Sequence, residues 1–592
     1  MSLYKDASLV MIPSAVKDGK LYSIRPTDGS GDFTFSRGSN LAATRVDVNG
    51  LIEKGRENLV LQSNQFDTTW ISVQTTEASG QSGYDGLNDA WLLSKSSGYG
   101  RMEQPYVFSG LYAFSLYAKA GAINWVAIGA NASTYSSGCF FDLANGVVGS
   151  SGSAVVHKSI ESVGNGWYRC IAIINNPTEN AFRIYPADGD NDVAGTSGSI
   201  YIQDAQLEQG LVATDYIETG ASTAQAGILE DLPRLDYSGG ASCPALLLEP
   251  SRTNLVTQSE YFGGSYWNPL QTIVTENEAI SPEGLQNSAK LSAVTGQANH
   301  QLDASNISIS SGAVTGSVFA KKGANIDWLR LRLSGTSNPP RAWFDLENGV
   351  VGDVDTSGTA SIEDYGNGWY RCSLTEAGNT ASSAIGRLQI FLNESNGQTQ
   401  FNPDGDEYHY IYGAQLEAGN FSTSLIPTYG SAVTRSVDQL ETSPYDYQSQ
   451  GVLGANVGTI ILDCETIGTS TGSNDFHMFG AVSSIADGYL LRANSGSTWD
   501  ILERNGNSTS AQYTSIAQKQ TRNKIGISYS GADVDVYVNG IVKSVSSGTP
   551  VGGGNINGFS NSASNKAGLI IHQILLFPNK LTDSEMASIT TI

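Results

Sequence analysis

Residues 141–149 read FDLANGVVG and residues 344–352 read FDLENGVVG, so part of the chain is a copy of another part. GNGWYRC at 164–170 returns unchanged at 366–372, and AQLEQG at 205–210 returns as AQLEAG at 414–419. The openings also match, NLVLQSNQFDTTW at 58–70 against NLVTQSEYFGGSYW at 254–267. The offset stays between 196 (58 to 254) and 209 (205 to 414), so the blocks keep their order and differ by loop insertions. A repeat of this length fixes the architecture before any single element is considered.

Each copy reads as antiparallel sheet. Asn-Gly follows FDLA and FDLE and precedes VV, and a second Asn-Gly precedes WYRC (Asn165-Gly166 and Asn367-Gly368), the preference of a two-residue type I′ hairpin, where both turn residues need positive φ. Period-two alternation then puts Tyr168, Cys170, Ala172 and Ile174 on one face and Trp167, Arg169 and Ile171 on the other. In the second copy Tyr370, Cys372 and Leu374 oppose Trp369 and Arg371. Short strands with turns every 8–12 residues over such a length predict a jelly-roll sandwich, about 160 residues per copy.

The remainder differs. Ile525, Ile527 and Tyr529, then Val534, Val536 and Val538, alternate around Asn539-Gly540, a further hairpin signal. GLIIHQILLF at 568–577 is apolar on both faces and predicts a central strand, and Thr582 with Glu585 forms a capping-box pattern. The class is all-β. The division is an N-terminal docking segment at 1–57, jelly-roll modules at 58–220 and 253–430, linkers or bracing strands at 221–252 and 431–450, and a third sandwich at 451–592. The N-terminal segment is too poor in apolar residues to fold alone, so it is expected to dock on a neighbour.

Charge narrows the partners. Lys and Arg number 33 against 57 Asp and Glu, a formal charge of −24, which repels nucleic acid and anionic surfaces and leaves neutral sugars and proteins. Five cysteines without a CxxC pair predict buried thiols. The N-terminus carries no secretion-type pattern, and no run of apolar residues is long enough to span a membrane.

Of possible sites, Trp167 with Arg169 and Trp369 with Arg371 have the right chemistry for a sugar: an apolar platform beside directional donors. The alternative is that these tryptophans cover the sheet or pack on a neighbouring domain. Trp125 and Trp328 read as core. Asp188, Asp190 and Asp192 in PADGDND, and Asp404 and Asp406 in NPDGDEY, precede the last strand of each copy; alternating Asp around Gly is able to hold calcium, or is turn chemistry alone. No cofactor is required by any motif. Five histidines (His157, His300, His409, His477, His572) without HExxH, GxSxG or a phosphate loop make catalysis an unexpected role, and VGGGNING at 551–558 reads as a hairpin loop.

DASLVMIPSAVKDGKLYSIRPTDGSGDFTFSRGSNLAATRVDVNGLIE at 6–53 resembles the shared N-terminal segment of structural proteins of tailed bacteriophages, crAss-like phages among them. RLDYSGGASCPALLLEPSRTNLVTQSEYF at 234–262 is similar to the lead-in of their carbohydrate-binding-like modules, and VYVNG at 536–540 with LLFPNKLTDSEM at 575–586 resembles a laminin-G or concanavalin-like sandwich. The resemblance implies a virion surface protein, a tail or head fibre or decoration protein assembled in the host cytoplasm and often a homotrimer. It would bind other virion proteins through its N-terminus and host glycan or protein through its modules. A secreted carbohydrate-binding adhesin and a polysaccharide depolymerase are the alternatives.

Overall fold

The computed structural model describes residues 3–592 apart from 18, 39–40, 132–135, 176–179, 381, 442–446, 455, 468–473, 481–487, 494–497, 506–507, 519–520 and 548–567, so the loop at 551–558 lies outside the described residues. The two repeats are jelly-roll sandwiches of the same topology. In the first, one six-stranded sheet runs Val155–Gly164, Trp167–Asn175, Leu111–Ala120, Gly198–Gln209, Ala90–Lys95, Thr75–Gln81. Its partner runs Val147–Ser151, Ser137–Asp142, Trp125–Asn131, Ala181–Ala187, Arg101–Pro105, Ile71–Val73. The second repeat places Thr359–Asp364, Trp369–Glu376, Val314–Ala324, Tyr408–Ala418, Gln286–Ala293 and Thr272–Ile280 in the same order. Alternation sorts the side chains as expected: Cys170, Ala172 and Ile174, and Cys372 with Leu374, enter the cores between the sheets.

Three of the Asn-Gly pairs turn with both residues at positive φ, Asn165 at 53° and Gly166 at 78°, Asn367 at 54° and Gly368 at 79°, Asn539 at 52° and Gly540 at 81°. The Asn-Gly of FDLANG is different. Asp142 pairs with Val147 across a four-residue turn in which Gly146 takes φ 65°, because the Asp142 carboxylate accepts the N–H groups of Ala144 (2.9 Å) and Asn145 (3.3 Å). The Asx turn, not the Asn-Gly pair, sets this loop. Four cysteines are buried thiols, while Cys243 is exposed.

The third sandwich borrows strands. Gly568–Phe577 is central, flanked by Val457–Ile467 on one side and by Ala245–Leu248 and Leu9–Met11 on the other. Arg234–Asp236 extends the same sheet. A four-stranded sheet from Asn474–Gly480 to Ser508–Gln518 completes the sandwich, with Trp499 and Ile501 in a core shared with Leu462, Ile525 and Ile574. Leu9, Met11, Leu21, Phe33 and Phe35 enter this core too. The N-terminal segment thus docks on its own chain and buries its apolar residues there. Within the last turn, Asp583–Ile589 is capped by Thr582, whose N–H donates to Glu585 Oε2 at 2.8 Å while its hydroxyl accepts the Glu585 N–H. Thr582→Ala should cost about 1 kcal/mol, read as a small drop in thermal midpoint.

The presumed linkers are strands of a hub. Ala224–Ala226 pairs with Arg56–Asn58, Arg252–Asn254 with Val433–Arg435, and Gln439–Glu441 with Phe33–Ser36. At its centre lie five buried charges. Arg234 Nη1 donates to Glu249 at 2.6 Å and its Nη2 reaches Asp438; Arg37 meets Asp438 at 3.2 Å and Arg435 meets Glu249 at 2.9 Å. Each of these side chains is at most 1% exposed.

Candidate functional site

The structure places the four sequence-predicted sugar residues on the expected face and then covers them. Trp167 and Trp369 are each 1% exposed. Trp167 packs among Ala90, Tyr117, Tyr84, Tyr201 and Tyr216, while Trp369 packs on Ile52, Phe319, Tyr412 and Leu425 and donates its indole N–H to the Ile280 carbonyl at 3.0 Å. Arg169 bonds Ser115 and the Thr214 carbonyl, and Arg371 bonds Ser317 at 3.1 Å with its guanidinium 5.2 Å from the Phe319 ring centre. The tryptophans are packing residues and offer no open platform. Trp125 and Trp328 are half-buried on the outer face of the other sheet, since the neighbours that alternate with them, Val126 and Leu329, take the core positions.

A cavity does open beside Arg371, and it enlarges the site in a way the motif did not show. It measures about 600 Å³, within the range of small-molecule sites. Its floor is the outer face of the second repeat, where register sets Thr359, Ser361 and Glu363 opposite Thr375, Ser373 and Arg371. Thr375 in turn faces Thr315, and the two hydroxyls meet at 2.8 Å. Four distant segments overhang this floor: 44–46 with Ile52 from the N-terminal segment, Asp236, Ser238, Leu247 and Glu249 from between the modules, 420–425 after the last module strand, and 465–467 with Ile570 from the third sandwich. Tyr365 and Phe421 add aromatic surface. Glu363 faces the cavity space, yet the enclosing walls raise its pKa; Arg371 pulls it the other way and Glu249 adds to the rise.

The first repeat provides an internal comparison. Where the second has Ser373 and Thr375, the first has Ile171 and Ile173, and Thr315 is replaced by Ala113. That face is apolar and closed: Leu111, Ala113, Ile171 and Ile173 pack under Leu211, Ala213 and Tyr261, the last supplied by the second repeat. One sheet face has become an interface between modules and the other has stayed polar and open. The signal was present in WYRCIAI against WYRCSLT, where the two copies diverge directly after an identical GNGWYRC.

The acidic loops turn several of their carboxylates onto the chain's own donors. Asp188 accepts from Lys95 and from the Gly195 N–H at 2.8 Å, and Asp190 accepts the Ser150 N–H at 2.6 Å and hydroxyl at 2.8 Å. The residue standing where Asp190 stands is Asn396, which accepts the Asp353 N–H at 2.8 Å, and not Asp404 or Asp406. Asp404 sits in a turn organised by Glu407, which accepts the N–H groups of Asp404 (3.0 Å) and Gly405 (2.9 Å), and Asp406 is exposed. Among the described residues no three His, Cys, Asp or Glu side chains converge as a metal set. Of the histidines, His300 lies between the carbonyls of Gln271 (2.8 Å) and Phe401 (3.2 Å), and burial pushes His409 down to about 4.

No family model and no curated protein matches the chain. Among solved structures it is similar to the Ruminococcus gnavus IT-sialidase CBM40 bound to α2,3-sialyllactose, at 14% identity and TM-score 0.21 over 25% of this chain and 91% of that one. It is also similar to the CBM22-1–CBM22-2 tandem domain of Paenibacillus barcinonensis Xyn10C, at 11% identity and TM-score 0.20 over 64% and 99%. A Trypanosoma rangeli sialidase mutant displaying trans-sialidase activity aligns over 93% and 97%, at 10% identity and TM-score 0.19.

Proposed function

We propose that this chain is a non-catalytic glycan-recognition protein of a bacteriophage particle, and that the cavity over the second repeat is its sugar site. The carrying observation is the contrast between the repeats: the same sheet face is sealed with Ile171 and Ile173 in one copy and kept as a hydroxyl ladder under a 600 Å³ cavity in the other. Sugars need closely spaced hydroxyl partners and a patch of aromatic surface, which Ser361, Ser373, Thr359, Tyr365 and Phe421 supply. Bound this way, a sugar needs no proton moved. The particle surface rests on the N-terminal sequence resemblance, and immunogold microscopy of phage particles tests it, gold on head or tail supporting it and gold on neither opposing it.

The direct test of the sugar site is a glycan array read with wild type and Ser361→Trp. Ser361 is exposed to the cavity, so an indole there fills space that the fold leaves open. Wild type should bind a restricted set of glycans and the variant, with an unchanged thermal midpoint, should lose them. Equal binding by both would remove the cavity from this role, and a blank array with wild type would remove the glycan role itself.

A further inference from the structure

The charges of the cavity point to a class of sugar, an inference that rests on the glycan reading above. Four carboxylates line it (Asp236, Glu249, Glu363, Glu465) against two guanidinium groups (Arg45, Arg371). Their partners separate them. Glu249 is neutralised by Arg234 and Arg435, and Arg45 by Glu53 at 2.7 Å. Asp236 accepts the neutral N–H groups of Val46 at 2.8 Å and Ser238 at 3.1 Å, and no cation pairs with it among the described residues. Glu465 lies 3.6 Å from His572, a contact that is ionic only when the imidazole is protonated. Glu363 has no ion pair among the described residues, since Arg371, its cross-strand neighbour, is turned to Ser317 and Phe319.

The cavity is therefore net negative within a chain of formal charge −24. An acidic sugar would add a like charge to an enclosed space. An ammonium brings three donors and the direct ion-pair partner that Glu363 lacks among the described residues, and a hydrogen bond between ions is stronger than one between neutral groups. We propose that the cavity takes a sugar bearing a free, protonated amino group, with Glu363 as the carboxylate that faces the ammonium. Acetylation of that amine removes both the charge and two of the donors.

The test is calorimetric titration of a glucosamine tetramer, an N-acetylglucosamine tetramer and a galacturonate tetramer into wild type and Glu363→Gln near neutral pH. The substitution keeps shape, and an unchanged thermal midpoint verifies the fold. Wild type should bind the free amine at least about tenfold tighter than its acetylated counterpart and should not bind the uronate. Glu363→Gln should bring the first two to near parity while leaving the acetylated ligand unchanged. Equal or tighter binding of the acetylated tetramer by wild type, or a preference that survives in Glu363→Gln, would overturn the assignment. If none of the three binds while the array detects another glycan, the amino-sugar assignment fails and the glycan reading stands; if the array is also blank, both fail.

Discussion

Asp438→Ala should lower stability by about 3–5 kcal/mol, the usual effect of removing one partner from a buried ion cluster. Asp438 is the shared acceptor of Arg37 and Arg234, and its loss leaves Glu249 alone against three buried guanidinium groups. The five residues come from 1–57, 221–252 and 431–450, so the loss should separate the hub rather than soften one module. Urea unfolding of Asp438→Ala beside Arg341→Ala checks it, because the Arg341–Asp355 pair is more than a quarter exposed on both sides and should contribute less than about 1 kcal/mol. Equal shifts in the two variants would contradict the role given to the hub.

The same cluster sets an acid limit. Burial pushes the Glu249 carboxyl up, but Arg435 and Arg234 outweigh it and hold the group well below the ordinary carboxylate range. A group whose folded pKa is depressed contributes stability above its unfolded pKa and loses it as pH falls toward the folded one. Unfolding midpoints should therefore be flat near neutrality and decline below the ordinary carboxylate range.

Trp369→Ala should likewise cost about 3–5 kcal/mol, the range for removing a large buried ring. The indole is 1% exposed, fills the space between Ile52, Phe319 and Leu425, and anchors the strand Thr272–Ile280 through its bond to Ile280. Trp167→Ala should be comparable in the first repeat, where the ring packs against Tyr117 and Tyr84. Neither ring lines the cavity, so protein that remains folded should keep its glycan specificity. A Trp369→Ala protein of wild-type stability that no longer binds glycan would restore the ring as a platform.

What the sequence made legible was local or repeated. The duplication, the alternation around WYRC, three of the Asn-Gly turns, the central strand at 568–577 and the Thr582 cap all depend on residues within a few positions of one another or on the copy. Alternation told which face Trp167 and Trp369 take, but not that Tyr84 or Ile52 would cover them, since those contacts come from far along the chain. For the same reason the neighbour on which the N-terminal segment docks was not legible: Leu9 pairs with Leu576, a register no local pattern encodes. Position before the last strand matched the loop of Asp188, Asp190 and Asp192 to that of Asp404 and Asp406, whereas hydrogen bonding matches Asn396 to Asp190. The cavity was hidden because its walls come from four separate stretches, and its one local trace was the change from Ile171 and Ile173 to Ser373 and Thr375.

Hydrogen–deuterium exchange of the intact chain, with and without a saturating glycan selected on the array, tests the central claim most directly. Added protection should fall on 359–365, 371–375 and 420–425 and spare the equivalent stretches 157–163 and 169–173 of the first repeat. Protection of the first repeat instead, or of both repeats alike, would contradict a single sugar site over the second.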